Sequence, residues 1–305
     1  MAFTKVSEKI TTPNELAGVV RAYLTVSGHF TLHKLFTATH FSLRHKNGKY
    51  FVFEFGNERA NDFVNCFLSF TEPTQDIIEN SSLQLGGMRK ITYPLLNLYL
   101  TTTETFIAIS AEIRSGVFRH ILVGRMQSYA NREDGEFVYS TNSTYENISY
   151  NSVHFDANSA SYYLNKQLVD YYHASGIVGI QYTPYSKYQN YVAYKGNLVV
   201  SSAGGYNKIA RFFSPPPTNI LVGSMNFNGR SPLNTHHLIY SEGNSELFYT
   251  PVFYCNELAT IAIDNLNPAD IVLDDWIVFP VMTKLTNINS DEVSTGNLGV
   301  AFKFK

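Results

Sequence analysis

Apolar positions in the first third of the chain change period near residue 30. Between residues 14 and 25, Leu16, Val19, Val20, Tyr23 and Leu24 recur at helical spacing, which predicts a short amphipathic helix. Thr12 can cap it, and Pro13 suits an early helical position, where a missing N–H costs nothing. From Phe30 the period is two. Residues 39–45 run into Lys46-Asn47-Gly48-Lys49, predicting a hairpin closed by a two-residue Asn-Gly turn. Pairing across that turn assigns Phe41, Leu43, Tyr50 and Val52 to one face and Phe51, Phe53 and Phe55 to the other. Two apolar faces predict cover on both sides, by the helix on one and by a neighbouring lobe or subunit on the other.

Further strands are predicted at residues 63–70, 95–101, 105–113 and 117–126, as an antiparallel meander broken at Thr101-Thr102-Thr103-Glu104 and Arg114-Ser115-Gly116. Residues 127–160, rich in Ser, Thr, Asn and Tyr with little periodicity, read as a long surface loop or lobe junction. This divides the chain into a helix-plus-sheet lobe over residues 1–130 and a β-rich lobe over 131–305, with the option of a shared sheet. Residues 161–173 are compatible with a helix. Strands are predicted at 176–182, 191–201, 220–227, 236–240, 247–254, 276–284 and 298–302, and Pro215-Pro216-Pro217 breaks regular structure between them. The fold class expected is mainly β, a β-rich α+β arrangement of antiparallel sheets or a sandwich with one or two short helices.

Composition turns this fold towards assembly. Charged residues make up 16% of the 305, against roughly a quarter in ordinary soluble domains, while 21 Tyr and 22 Phe bring aromatics to 14%. A polar but weakly charged surface suits large interfaces that Lys and Glu would disfavour. A net charge of −2 without any Lys/Arg run argues against nucleic acid as a partner. No segment approaches the roughly 18–20 apolar residues of a membrane span, and the N-terminus has no secretory apolar region, so a cytoplasmic product is expected. Cys66 and Cys255 are too far apart in sequence to suggest a metal knuckle or redox pair, and read as buried small hydrophobes.

Chemistry is hard to find. Neither phosphate-cradling glycine motif nor a nucleophile elbow is present, and no cofactor is expected. His29, His33, His40 and His45 fall within seventeen residues, but on strands His40 and His45 point oppositely, and neither Cys nor carboxylate joins them at ligand spacing. No metal is therefore expected. Asp274-Asp275 beside Trp276 carries the residue types of glycoside chemistry, yet adjacent strand residues face opposite ways, which favours turn duty. Tyr182, Tyr185, Tyr188 and Tyr191, with Trp276, form a candidate interaction surface. Such aromatics pack between subunits or stack on sugars.

The stretch Asp274-Asp275-Trp276-Ile277-Val278-Phe279-Pro280-Val281-Met282-Thr283-Lys284, with the terminal Gly299-Val300-Ala301-Phe302-Lys303, resembles the ending of virion structural proteins of tailed bacteriophages. The run Gly28-His29-Phe30-Thr31-Leu32-His33-Lys34 is also similar to that group. The resemblance covers about a fifth of the chain. It implies a non-enzymatic neck, tail or baseplate component, made in the host bacterial cytoplasm and resident in the virion. Its partners would be itself, as a homo-oligomeric ring, and adjacent virion proteins. A carbohydrate- or receptor-binding module is the second reading, motivated by the tyrosines and Trp276, and an enzyme assembled from distant residues is the third.

Overall fold

The computed structural model describes residues 2–6, 8–46, 48–58, 61–69, 72–73, 85–125, 127–128, 136–141, 174–180, 189–194, 197–200, 209–213, 233–241, 251–263, 265–280 and 298–305. Strand β1 (Ala2–Val6) precedes helix α1 (Pro13–Val26), followed by β2 (Phe30–Thr37), β3 (His40–His45), β4 (Tyr50–Glu58), β5 (Asn61–Ser69) and β6 (Leu85–Ile91). Then come β7 (Asn97–Thr102), β8 (Phe106–Arg114), β9 (Val117–Arg125), β10 (Gln127–Ser128), β11 (Glu136–Thr141), β12 (Ala174–Ile180), β13 (Gln189–Tyr194) and β14 (Asn197–Val200). The last strands are β15 (Ile209–Phe213), β16 (Asn234–Ser241), β17 (Pro251–Ala262), β18 (Asp270–Val272), β19 (Trp276–Pro280) and β20 (Leu298–Lys303). The fold is mainly β, with one short helix among the described residues and three antiparallel sheets.

The helix forms where its sequence signals place it. Thr12 is the N-cap, its Oγ1 accepting the Glu15 N–H at 3.2 Å, while Glu15 Oε2 accepts from the Thr11 N–H at 2.7 Å and from Thr11 Oγ1 at 2.9 Å. Leu16, Ala17, Val20 and Leu24 make its buried stripe.

The predicted hairpin exists, but its loop holds three residues rather than two. His45 N–H donates to the Lys49 carbonyl at 2.8 Å and Gly48 N–H to the His45 carbonyl at 2.9 Å, with Gly48 at φ +84°. A left-handed glycine as third loop residue is the other common hairpin closure. The extra residue shifts the register by one, so Phe41 faces Phe53, Leu43 faces Phe51 and Ser42 faces Val52. A one-residue shift moves side chains to the opposite face of one strand relative to its partner. Phe41, Leu43, Phe51, Phe53 and Phe55 therefore share one face in a core with the helix, correcting the expectation of two aromatic faces. On the other face the His33 ring closes over Ser42, with Nδ1 2.9 Å from the Ser42 Oγ.

The second face of the hairpin is buried at its centre, at Ser42 and Val52, and burial on both faces is most complete at β8 and β9, where only the last residue of each strand escapes full burial. Leu98, Leu100, Ile107, Ile109, Ile121 and Val123 turn towards α1 and the five-stranded sheet β2-β3-β4-β5-β6. Their alternates Tyr99, Phe106, Phe118 and His120 meet Phe279 and Phe302 of the third sheet. The eight-stranded sheet β1-β7-β8-β9-β11-β12-β13-β14 is thus the central layer, and the sheet β15-β16-β17-β20-β19-β18, with β10 paired to β17, is the third.

Two further expectations change. Residues 63–70 do not open a meander with 95–126, because β5 pairs with β4 and β6 in the outer sheet, and only β7, β8 and β9 form the meander. The segment read as a loop contains β11, which pairs with both β9 and β12, so the central sheet draws strands from both sides of residue 130. β1, β6, β10, β15 and β18 had no sequence prediction, and the one strand expected at 191–201 is two, β13 and β14. The helix expected at 161–173, the strand at 220–227 and the Pro215–Pro217 break lie outside the described residues.

Candidate functional site

Two polar constellations link the central sheet to the third one. His120 on β9 places Nδ1 2.8 Å from the Ser110 Oγ and Nε2 2.8 Å from the Pro280 carbonyl oxygen. A carbonyl only accepts, so Nε2 carries the proton and the Ser110 hydroxyl donates to Nδ1. Hydroxyl, imidazole and acceptor in this order have the connectivity of a nucleophilic site. Ser110 and His120 are buried at 1% and 0% exposure, however, so the group is a clamp between sheets rather than a site open to substrate. Burial pushes the imidazole down to about 4, with Arg119 adding to the shift and the Pro280 bond opposing it.

The second constellation is Glu257 on β17, whose carboxylate accepts from the hydroxyls of Thr103 and Thr105 at the turn between β7 and β8. Burial raises this carboxyl, and the two hydroxyl bonds and Lys303 oppose the rise. Both constellations tie the two sheets together, the first fully buried and the second part-buried.

The histidine cluster disperses in the same way. His33 lies between Ser42 and Glu72, and His45 Nε2 donates to the Glu104 carbonyl at 2.7 Å. A register shift between Leu32 and Lys34 also breaks the alternation on which a shared face for His29 and His33 depends. Among the described residues no three His, Cys, Asp or Glu side chains are placed to hold a metal ion. Cys66 and Cys255 are both buried, as small hydrophobes. No helix among the described residues is long and apolar enough to cross a membrane.

Asp274 and Asp275 serve a turn. Asp274 has φ +60°, the Asp275 carbonyl accepts the Phe304 N–H at 2.9 Å, and the Asp275 carboxylate lies 3.8 Å from the Lys303 Nζ. Trp276, at 8% exposure, is packed with Ala259, Ile261, Ile263, Val278 and Ala301 in the core of the third sheet. Tyr191 lies on β13 of the central sheet, and Tyr182, Tyr185 and Tyr188 fall outside the described residues. Trp276 is therefore a core ring, and of the four tyrosines only Tyr191 lies among the described residues.

Exposed apolar side chains gather elsewhere. Leu32 and Leu35, at 43% and 49% exposure, sit on β2, which ends the five-stranded sheet, and Val26 at 86% ends the neighbouring helix. Ile271 at 56% sits on β18, which ends the third sheet, and Leu273 at 74% follows it in the turn. Sheet edges carry unpaired backbone donors and acceptors, and soluble proteins usually blunt them with charge. These residues were visible in the sequence as ordinary strand aliphatics. Nothing local marks a strand as the last of its sheet.

No family model matches the chain, and no curated protein is similar to it.

Proposed function

We propose that this chain is a non-enzymatic structural component of a tailed-phage virion, in the neck, tail or baseplate. It works by assembling into a homo-oligomeric ring and by contacting adjacent virion proteins. The observation that carries the assembly reading is the exposure of Leu32, Leu35, Ile271 and Leu273 on or beside the two strands that end their sheets among the described residues, where a sheet edge and apolar surface coincide. The weakly charged composition supports it, because few charges need desolvating when such a surface is covered. The phage class rests on the resemblance of residues 274–284 and 299–303 to virion proteins. The carbohydrate- or receptor-binding alternative loses its aromatic platform at Trp276, which is a core ring.

The test is the mass of the purified chain by light scattering across a concentration series, together with a search for the chain in purified particles. A mass that rises to a defined multiple of 34.4 kDa and recovery in particles support the reading. A monomer at every concentration, absent from particles, overturns it.

A further inference from the structure

The two exposed edges differ in charge. At β2, Lys34 is exposed on the face of its strand partner Ser42, and on the other face, that of Leu35, the Arg21 guanidinium lies 5.8 Å from the ring centre of Phe41, the strand partner of Leu35. Arg21 also donates to the Ala38 carbonyl at 3.4 Å, which holds its charge beside this edge. Glu72, an acid on the Ser42 face that Lys34 shares, is engaged by His33 at 3.3 Å. At β18 the pattern is reversed, with the exposed Asp274 and the half-buried Asp270, whose Oδ2 accepts the Asn267 N–H at 2.6 Å, flanking Ile271 and Leu273. Asp275 is set apart from them by its pairing with Lys303.

The turn after β18 is also made of unusual residues. Leu273 and Asp274 both adopt the left-handed region, at φ +54° and +60°, where a leucine is sterically disfavoured and glycine or asparagine is the ordinary choice. The strain presents a leucine to solvent at the tip of a hairpin, where folding gains nothing from it.

We propose that the β18 hairpin of one copy of this chain docks on the β2 edge of the next. Ile271 and Leu273 cover Leu32 and Leu35, and the acidic Asp270 and Asp274 meet the basic flanks of that edge, Lys34 on one face and Arg21 on the other. The occupant is a second copy because the apolar pairs and the opposite charges are both present on one chain. The two edges belong to the outer sheets on opposite faces of the central sheet, so they meet between copies and not within one. A contact between two different patches repeats head to tail, and closes into a ring where the rotation per subunit allows. This inference rests on the assembly reading and names its interface.

Buried Cys66 and Cys255 leave engineered surface thiols as the ones available for cross-linking. Full-length Leu35→Cys and Leu273→Cys chains are mixed and oxidised, and the linked peptides are mapped by mass spectrometry. Expected are Leu35→Cys to Leu273→Cys disulfides in the mixture, well above any dimer formed by either variant alone. Asp270→Lys with Asp274→Lys should raise the concentration needed for assembly by roughly tenfold or more, and Arg21→Glu with Lys34→Glu in the same chain should restore it. A wild type that assembles without this linkage, and whose mass is unchanged in the Asp270→Lys/Asp274→Lys variant, overturns the interface and leaves assembly standing. A wild type that is monomeric throughout overturns both.

Discussion

His120 on the central sheet donates its Nε2 proton to the carbonyl oxygen of Pro280 on the third sheet, at 2.8 Å. The bond satisfies a buried donor and a buried acceptor among the aromatic rings of Phe118, Phe279 and Phe302. It fixes the tautomer and makes the neutral ring part of the fold.

The first prediction follows from that neutrality. The folded imidazole takes a proton only near pH 4, whereas the unfolded one does so near 6.5. Below 6.5 the unfolded state binds the extra proton, so this group's contribution to stability is intact above 6.5 and is lost as pH falls to 4, by up to about 3 kcal/mol. Urea unfolding of the wild type and His120→Gln at pH 7.5 and 4.5 isolates the effect. The stability difference between them should narrow at the lower pH, and a constant difference would refute it.

Glu257 behaves in the opposite sense. Its carboxyl is raised above the ordinary 4.5, so the stability this group lends is full below 4.5 and declines as pH rises through the folded value. Glu257→Gln should gain on the wild type as pH rises, as read by thermal unfolding. Thr103→Val with Thr105→Val, which strips the part-buried carboxylate of its two hydroxyl donors, should cost roughly 2–3 kcal/mol at pH 7.

Gly124 ends β9 against the start of β8. A Cβ there would stand 2.3 Å from the Thr105 carbonyl oxygen and 3.0 Å from the Phe106 Cα, both backbone atoms that cannot swing aside. The same carbonyl accepts the Arg125 N–H at 2.8 Å. Gly124→Ala should lose roughly 1–3 kcal/mol by denaturant unfolding, although alanine is innocuous at most strand positions.

The two thiols should be silent in the native protein. Burial raises both, Cys255 to about 12, and thiolate is the reactive form. A colourimetric thiol reagent should titrate none at pH 8 and two per chain in denaturant. Fast native labelling would show that the core around Cys66 or Cys255 opens.

Much of the secondary structure was legible because its causes are local. The spacing of Leu16, Val20 and Leu24 and the cap at Thr12 define α1. The run from Phe106 to Arg125, broken at Gly116 with φ +73°, defines two strands and their turn. The mainly β class followed from such runs, as did the turn role of Asp274 and Asp275.

What the sequence left open depends on partners distant along the chain. A loop of two or three residues at Gly48 is a small local difference, yet it decides whether Phe51 and Phe53 share a face with Phe41, and only a packed core with α1 selects one. Trp276 looks like a surface aromatic until β17 and β20, with Ala259, Ile261 and Ala301, are brought around it. The candidate interface was hidden for the same reason. The pattern of Leu32, Leu35, Ile271 and Leu273 is that of strand and turn residues anywhere, and which strand ends a sheet is settled only when the others have found their neighbours.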